Sequence, residues 1–359
     1  MKRILISVTN DLATDQRVHK VCETLQEFGF DIILIGRKLP NSLPLNRNYK
    51  TVRMNLIFNK GFLFYTEYNL RLFLKLLFTK KDILLANDLD TLLPNFLISR
   101  LQNKKLVYDS HELFTEVPEL INRPKVQRIW LKIEKVIVPK LENCYTVCQS
   151  IADYYNTKYN TNFKVIKNLP IKSELSEKKL VKNDEKTIIY QGALNLGRGI
   201  ELMIRSMQYL DNTLFIIVGD GDITNELKQQ VQELKLQNKV QFLGRKKPEE
   251  LKKITLHADL GISFEEDLGL NYRYALPNKI FDYIHAEIPI LVSDLPEMKR
   301  IASEYSVGEI IFERTPKLIA QQIQKIFKND YLEALIKAKN ELNWSTEKEK
   351  MKTIFQSLN

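Results

Sequence analysis

ADLGISFEEDLGLNYRYALPNKIFDYIHAEIPILVSDLPEM, residues 258–298, is the stretch that decides the fold. Leu260 to Phe264 is a short apolar run, as a buried strand supplies. Glu265 to Tyr274 is acidic, contains Gly269 and reads as a loop. Pro277 then opens a helical pattern, as proline does at a first turn. Asn278 and Lys279 sit in that turn, and Asp282 follows one turn on. Ile288 to Val292 is a second apolar run. Strand, loop, helix and strand in so short a stretch describe a βαβ unit of a parallel sheet. Ligands of open α/β sheets bind beyond the carboxyl ends of the strands, where helices begin. A helix start offers N–H groups and a partial positive charge, which suit a phosphate. Lys279 adds a full charge, and Asp282 can accept hydrogen bonds from ribose hydroxyls. The stretch reads as a nucleotide-diphosphate site.

Working outward, the same alternation fills the second half of the chain. Thr187 to Gln191 is a strand, Gly192 to Gly199 a Gly-rich turn, and Ile200 to Leu210 a helix. Gly192, Gly197 and Gly199 allow close backbone approach to a phosphate, and Arg198 supplies charge. A simple tight turn explains the same glycines. Thr213 to Val218 ends in Gly219-Asp220-Gly221, and Val240 to Leu243 ends in Gly244-Arg245. Pro248 to His257 is a helix. Beyond Ile310, helices are expected around Pro316 to Phe327, Tyr331 to Leu342 and Ser345 to Leu358.

The first half opens on a strand, Arg3 to Val8, a polar turn, Thr9 to Asp15, and a helix, Gln16 to Phe28, with Asp31 to Ile35 as the next strand. This is Rossmann-like but has no G-x-G-x-x-G, which argues against a dinucleotide dehydrogenase. Arg17 can meet an acceptor or a phosphate; alternatively Asp15 caps the helix and Arg17 lies on the surface. Asn69 to Phe78 reads as a short helix with Arg71 and Lys75 one turn apart, lying on a membrane face or packed on the sheet. Asp82 to Ala86 is a strand ending at Asn87-Asp88-Leu89-Asp90, where Asp88 or Asp90 caps a helix running from Thr91. Lys105 to Tyr108 ends in Asp109-Ser110-His111-Glu112. A histidine between carboxylates at a strand end is placed as in a site, although a helix cap or a buried structural histidine fits as well. Helices are expected over Arg128 to Leu141 and Ser150 to Tyr159, and strands over Cys144 to Cys148 and Lys164 to Ile166.

Three stretches carry a family resemblance: PNKIFDYIHAEIPIL at 277–291, VYDSHELFTEVPE at 107–119 and TNDLATDQRVHK at 9–20. The chain resembles the retaining GT-B glycosyltransferases of family 4 (group 1). The resemblance implies an α/β chain of GT-B architecture, with two Rossmann-like domains facing each other across a cleft. Residues 1–170 would form the acceptor-side domain and 187–342 the nucleotide-sugar domain. The charged, apolar-poor segment 171–186 reads as a linker. Residues 343–359 would be a helix packing back on the first domain. The implied activity moves a sugar from a nucleotide diphosphate sugar to a lipid-linked or polysaccharide acceptor, with retention and without metal or other cofactor.

By the same resemblance His111, Arg198 and Lys279 are catalytic. Donor contacts fall to Gly192, Gly197, Gly199, Gly219, Asp220, Arg245, Asn271, Tyr274, Pro277, Asn278 and Asp282, and acceptor contacts to Asp15, Arg17, Glu112 and Glu116. The family carries two glutamates eight positions apart on the loop and helix. Here the second matches Asp282, and the first falls on Tyr274. Glu265, Glu266 or Asp267, or backbone N–H groups near Asn271 to Tyr274, would stand in for it. A non-catalytic donor-binding GT-B subunit and a nucleotide-sugar epimerase are the other functions such a chain can serve.

Composition bounds these readings. A chain of 359 residues suits two α/β domains. The net charge is +10 and uneven, with 26 Lys/Arg against 16 Asp/Glu in residues 1–170 and 28 of each beyond. The basic half suits an anionic surface such as phospholipid, or is merely solvated. No nucleic-acid recognition motif accompanies it. Cys22, Cys144 and Cys148 lack the spacing of a zinc site or a disulfide framework and read as reduced buried thiols. The N-terminus lacks the pattern of a signal peptide, and no window is long and apolar enough to span a bilayer. The expected location is cytoplasmic, with peripheral contact at the inner face of the cell membrane.

Overall fold

The computed structural model describes residues 1–117, 120, 123–172 and 185–358. Most of the expected linker, residues 173–184, lies outside the described residues. The chain divides into two compact units. One is Met1–Asn168 with Glu347–Asn359, and the other is Leu169–Thr346.

The first unit is built on strands β1 (Arg3–Asp11), β2 (Asp31–Lys38), β3 (Lys50–Asn55), β4 (Ile83–Asn87), β5 (Lys105–Ser110), β6 (Asn143–Thr146) and β7 (Lys164–Val165). They form one sheet in the order β3-β2-β1-β4-β5-β6-β7, and every pairing is parallel. Ile4, Leu5 and Ile6 of β1 are all buried, because a central parallel strand is covered on both faces. The helix Gln16–Glu27 turns Val18, Val21, Cys22 and Leu25 inward, and Asp15 caps it by accepting the Val18 N–H at 3.0 Å.

The helix expected over Asn69 to Phe78 is longer and spans Gly61–Phe78. Phe64, Tyr68, Leu72 and Leu76 recur every fourth residue and give it one continuous buried row. Tyr68 anchors the row by donating to the Val8 carbonyl at 2.6 Å. All three cysteines are free and buried.

The expected helix cap at Asp88 or Asp90 is not formed by either carboxylate. Asp88 stands at the N-cap of Leu89–Leu101 with φ at 59°, but its side chain makes no cap bond. Asp90 points inward, where one oxygen accepts from the Thr9 hydroxyl at 2.6 Å and the other has no partner among the described residues. Burial first, and the neighbouring Asp88 second, push the Asp90 carboxyl up from 3.8 to about 8. A carboxyl raised in the fold stabilises it fully below the unfolded value and loses that contribution as pH rises through the folded one. Asp90→Asn is therefore expected to flatten the decline in stability between pH 4 and pH 8 relative to the parent. Urea midpoints taken across that range check it.

The second unit carries β8 (Lys186–Gln191), β9 (Thr213–Val218), β10 (Val240–Gly244), β11 (Leu260–Ser263), β12 (Ile290–Ser293) and β13 (Gly308–Ile311). Their order is β10-β9-β8-β11-β12-β13, again parallel throughout. The chain steps outward from β8 in one direction, then restarts at β11 and steps outward in the other. The reversal between β8 and β11 is a topological switch point, which opens a crevice beyond the strand ends. Gln191 ends one of these strands and Ser263 the other. The helix Asn278–His285 packs beside them. Its Tyr283 ring lies against Gly261 of β11, where a Cβ would come within 2.2 Å of ring carbon. The Tyr283 hydroxyl accepts the Gln191 N–H at 3.2 Å and donates to the Ile262 carbonyl at 3.3 Å. Pro277 is the N-cap of this helix rather than a residue of its first turn, with φ −64° and ψ 132°. Among the described residues no helix is long and apolar enough to cross a membrane.

Candidate functional site

At the switch point of the second unit, the loop after β8 and the helix after β11 bring two cations to one carboxylate. Glu265 lies just past the end of β11 and is fully buried. Its Oε1 receives the Lys279 ammonium at 2.8 Å and the Arg198 guanidinium at 3.5 Å, while Ser263 donates to Oε2 at 2.6 Å. Burial alone would raise the Glu265 carboxyl. Lys279, Ser263 and Arg198 outweigh it and hold the group below its usual value, so it is ionised at neutral pH. Lys279 keeps 8% of its surface open, and its ammonium sits 4.1 Å from the centroid of the Tyr190 ring. Arg198 lies over Tyr272 at 5.1 Å, and its buried Nε has no hydrogen-bond partner among the described residues. Glu265 thus clamps the two bases and is not available to hold a sugar, the part it was assigned as a stand-in for the missing loop glutamate.

The glycines divide by role. Gly199 adopts φ 68°, and a Cβ there would meet the Phe264 carbonyl at 2.3 Å and Arg314 at 2.9 Å, so it lets the loop close on the strand end. Gly197 is buried beneath Leu268. Gly192 is open at the end of β8. Gly219 packs on it so closely that a Cβ at 219 would stand 1.8 Å from the Gly192 carbonyl oxygen.

Asp282 is half-buried and receives the Gln191 amide at 2.7 Å, and Gln191 in turn accepts from Thr255 at 2.7 Å. Asn278 is exposed at the start of the helix, where no side chain caps the N-terminus. Asn271 and Tyr274 are half-buried on a short turn, Leu270–Arg273, tied down by the Arg273–Asp267 ion pair at 2.6 Å. Asp220 and Arg245 are both exposed, 3.6 Å apart, after β9 and β10.

Arg314 escaped the sequence reading. It donates to the Phe264 carbonyl at 2.8 Å and to Ser293 at 2.9 Å, and so braces the backbone that carries Glu265. It lies 49 residues from Glu265 along the chain, and no local pattern marks it.

A second cluster belongs to the first unit. Arg17 is 5% exposed and makes two hydrogen bonds to Asp109, at 2.9 and 3.3 Å, and one to the Ile166 carbonyl at 3.1 Å. This corrects the surface placement of Arg17, while the helix cap by Asp15 read alongside it is formed. His111 places Nε2 3.0 Å from Asp109 and Nδ1 3.0 Å from Asp88, whose other oxygen takes the His111 N–H at 2.7 Å. Burial lowers the affinity of this imidazole for a proton. Asp88 and Asp109 reverse the effect and raise its pKa well above 6.5, so the ring is an imidazolium at neutral pH. Asp15 is spent on its helix cap and on Asn10.

Glu112 and Glu116 are half-buried downstream of the same strand. Burial raises the Glu116 carboxyl, Lys158 opposes the shift, and the buried Glu134 adds to it. Glu119, beside them in sequence, lies outside the described residues. No group of three or more His, Cys, Asp or Glu arranged to hold a metal ion occurs among the described residues.

Residues 171–343 match the family described as glycosyl transferases group 1. The second unit is a group 1 glycosyltransferase domain. The Lys279–Glu265–Arg198 clamp, the glycine turn and Asp282 all fall inside this group 1 domain. A curated relative, an uncharacterized glycosyltransferase of Methanocaldococcus jannaschii, is 28% identical over 151 residues. That alignment covers 41% of this chain and 37% of the relative, so the chain spans well under half the length of the relative it matches.

Among solved structures, sucrose-phosphate synthase of Thermosynechococcus elongatus superposes with a TM-score of 0.80 at 14% identity, covering 100% of this chain and 99% of its own. The Anabaena protein HepE in complex with UDP-glucose gives 0.74 at 14%, covering 99% and 100%. The group 1 domain and the unit that precedes it are thus the two parallel-sheet, Rossmann-like domains of the GT-B fold.

Proposed function

We propose that the chain transfers a glycosyl group from a nucleotide diphosphate sugar to an acceptor hydroxyl. The observation that carries this is the convergence of Lys279 and Arg198 on buried Glu265 at the switch point, beside an uncapped helix N-terminus. One carboxylate leaves two cations with a surplus of positive charge, and the unpartnered Arg198 Nε still needs an acceptor. A diphosphate supplies both the charge and the acceptor. Asp282, steadied by Gln191, takes the ribose hydroxyls, and Gly192 gives the phosphates room beside the backbone.

In the reaction the bond from the sugar C1 to the β-phosphate oxygen breaks. A bond from C1 to the acceptor oxygen forms on the same face, and the acceptor proton passes to the departing phosphate. Lys279 and Arg198 stabilise the charge that grows on the diphosphate, the kind of preorganised electrostatics that usually dominates catalysis. No step calls for a metal ion. His111 enters as a held imidazolium rather than a base, since a contact to the sugar through either nitrogen would require that nitrogen to leave its carboxylate. The acceptor in this reading is lipid-linked or polysaccharide, as suits a basic first unit.

A thermal-unfolding screen of UDP, GDP and ADP and their sugars tests the donor. UDP sugars come first, given the HepE complex. One nucleotide is expected to stabilise the chain by about 2.7 kcal/mol at a hundredfold excess over its dissociation constant, with or without EDTA. No shift with any nucleotide would sink the reading. Stabilisation without transfer or hydrolysis would point to a donor-binding subunit, and sugar interconversion to an epimerase.

A further inference from the structure

Three helices of the first unit, Gly61–Phe78, Leu89–Leu101 and Pro124–Ile137, lie side by side, and the first two cover one face of its sheet. Their outward faces depart from the usual polar pattern. On the first, Leu63, Leu70, Leu74 and Phe78 recur at helical spacing and form one exposed stripe, with Phe78 81% open. On the second, Leu93, Leu97 and Leu101 follow every fourth residue, and Leu101 is 66% open. Single exposed apolar residues are ordinary on a soluble surface, but adjoining rows mark a contact.

The borders of these rows are basic. Arg71 and Lys75 flank the first stripe, Arg100 the second, and the third helix presents Lys125, Arg128 and Lys132. The acids on the three helices are withdrawn. Glu67 holds Arg71 at 2.7 Å and the backbone N–H groups of Ile57 and Phe58, while Asp90 and Glu134 are buried. Where the second helix ends, a cavity of about 580 Å³ is lined by Arg100, Lys104, Lys105 and Lys140 around Phe96, with Glu142 the one acidic side chain in its wall among the described residues. Arg100 and Lys140 both lie over the Phe96 ring, at 5.2 and 5.9 Å from its centroid, and Arg100 donates to the Lys140 carbonyl at 3.2 Å.

We infer that this face docks on an anionic phospholipid bilayer, with the leucine rows among the upper acyl chains and a headgroup phosphate in the Arg100–Lys140 pocket. The charge pattern selects this occupant. Aliphatic rows bordered by bases match the layering of acyl chains beneath anionic headgroups. A protein partner would have to bring acids to every border of an aliphatic patch. Nucleic acid would be offered leucine where it needs aromatic platforms. None of these residues lies in the group 1 domain, so the inference stands apart from the donor reading.

The full chain is to be sedimented with vesicles of equal parts phosphatidylglycerol and phosphatidylcholine, and with vesicles of phosphatidylcholine alone. Binding is expected to the first and not the second, and it should weaken at high salt as screening shortens. Arg100→Gln/Lys104→Gln/Lys140→Gln is expected to weaken it about a hundredfold, at about 1 kcal/mol per charge removed. Leu70→Gln/Leu74→Gln/Phe78→Gln is expected to abolish binding while the far-UV dichroism and the nucleotide-induced thermal shift stay as in the parent. Equal partition into both vesicles, no binding to the anionic ones, or parental binding by both triple variants would overturn the inference.

Discussion

Lys279→Ala is expected to lower kcat by about 10²- to 10³-fold, the loss that follows removal of one preorganised charge from a developing anion. The geometry also predicts a second effect that has to be separated from the first. Lys279 is the nearer of the two cations on Glu265, at 2.8 Å against 3.5 Å for Arg198. Without it a fully buried carboxylate keeps one distant cation and Ser263, and breaking a buried pair typically costs about 3–5 kcal/mol. The single variant should therefore lose both turnover and thermal stability. Pairing it with Glu265→Gln removes the stranded charge. That double variant is expected to unfold near the parental temperature and still turn over slowly. If it recovers turnover, or if Lys279→Ala keeps parental kcat on a donor that stabilises the chain, the cation is not part of the chemistry.

A stability effect of the same size is expected at Arg17. Arg17→Ala should cost about 3–5 kcal/mol, because Asp109 is fully buried and loses a partner that holds both its oxygens. Against a total of about 5–15 kcal/mol for a native domain, that is enough to unfold a sizeable fraction of the chain on mild heating. Urea unfolding of parent and variant measures it. An unchanged midpoint together with a raised KM for acceptor would show that the guanidinium serves a substrate after all. His111 shares Asp109, so changes at 17 and 111 should not be additive.

The parallel sheets were legible because their strands are covered on both faces and read as unbroken apolar runs, as in Ile4 to Ile6 or Leu214 to Val218. β3, Lys-Thr-Val-Arg-Met-Asn, passed unnoticed for the complementary reason. It is an edge strand paired on one side only, and just one of its residues is buried. The polar helix Thr224–Glu233 was overlooked as well, since Leu227 and Val231 alone face inward.

At the site, Lys279, Arg198 and Asp282 could be named from local spacing and from a family resemblance. Their common anchor could not. Glu265 reads as one acid in a run of three, and only the turn back of the helix onto β11 shows that it is the buried one. Arg17 was misread by the same logic. An arginine in the first turn of a helix looks solvated until Asp109, 92 residues further on, is folded beneath it.

The contact between Gly261 and Tyr283 reaches further than the core in which it sits. With its ring flat on a bare backbone and its hydroxyl bonded to two strands, Tyr283 clocks the helix Asn278–His285 about its own axis. Lys279 and Asp282 are four and one positions away on that helix, so their aim is inherited from this pin. The atom missing at residue 261 is thereby part of how a ligand would be gripped, although nothing bound at the crevice need ever touch it.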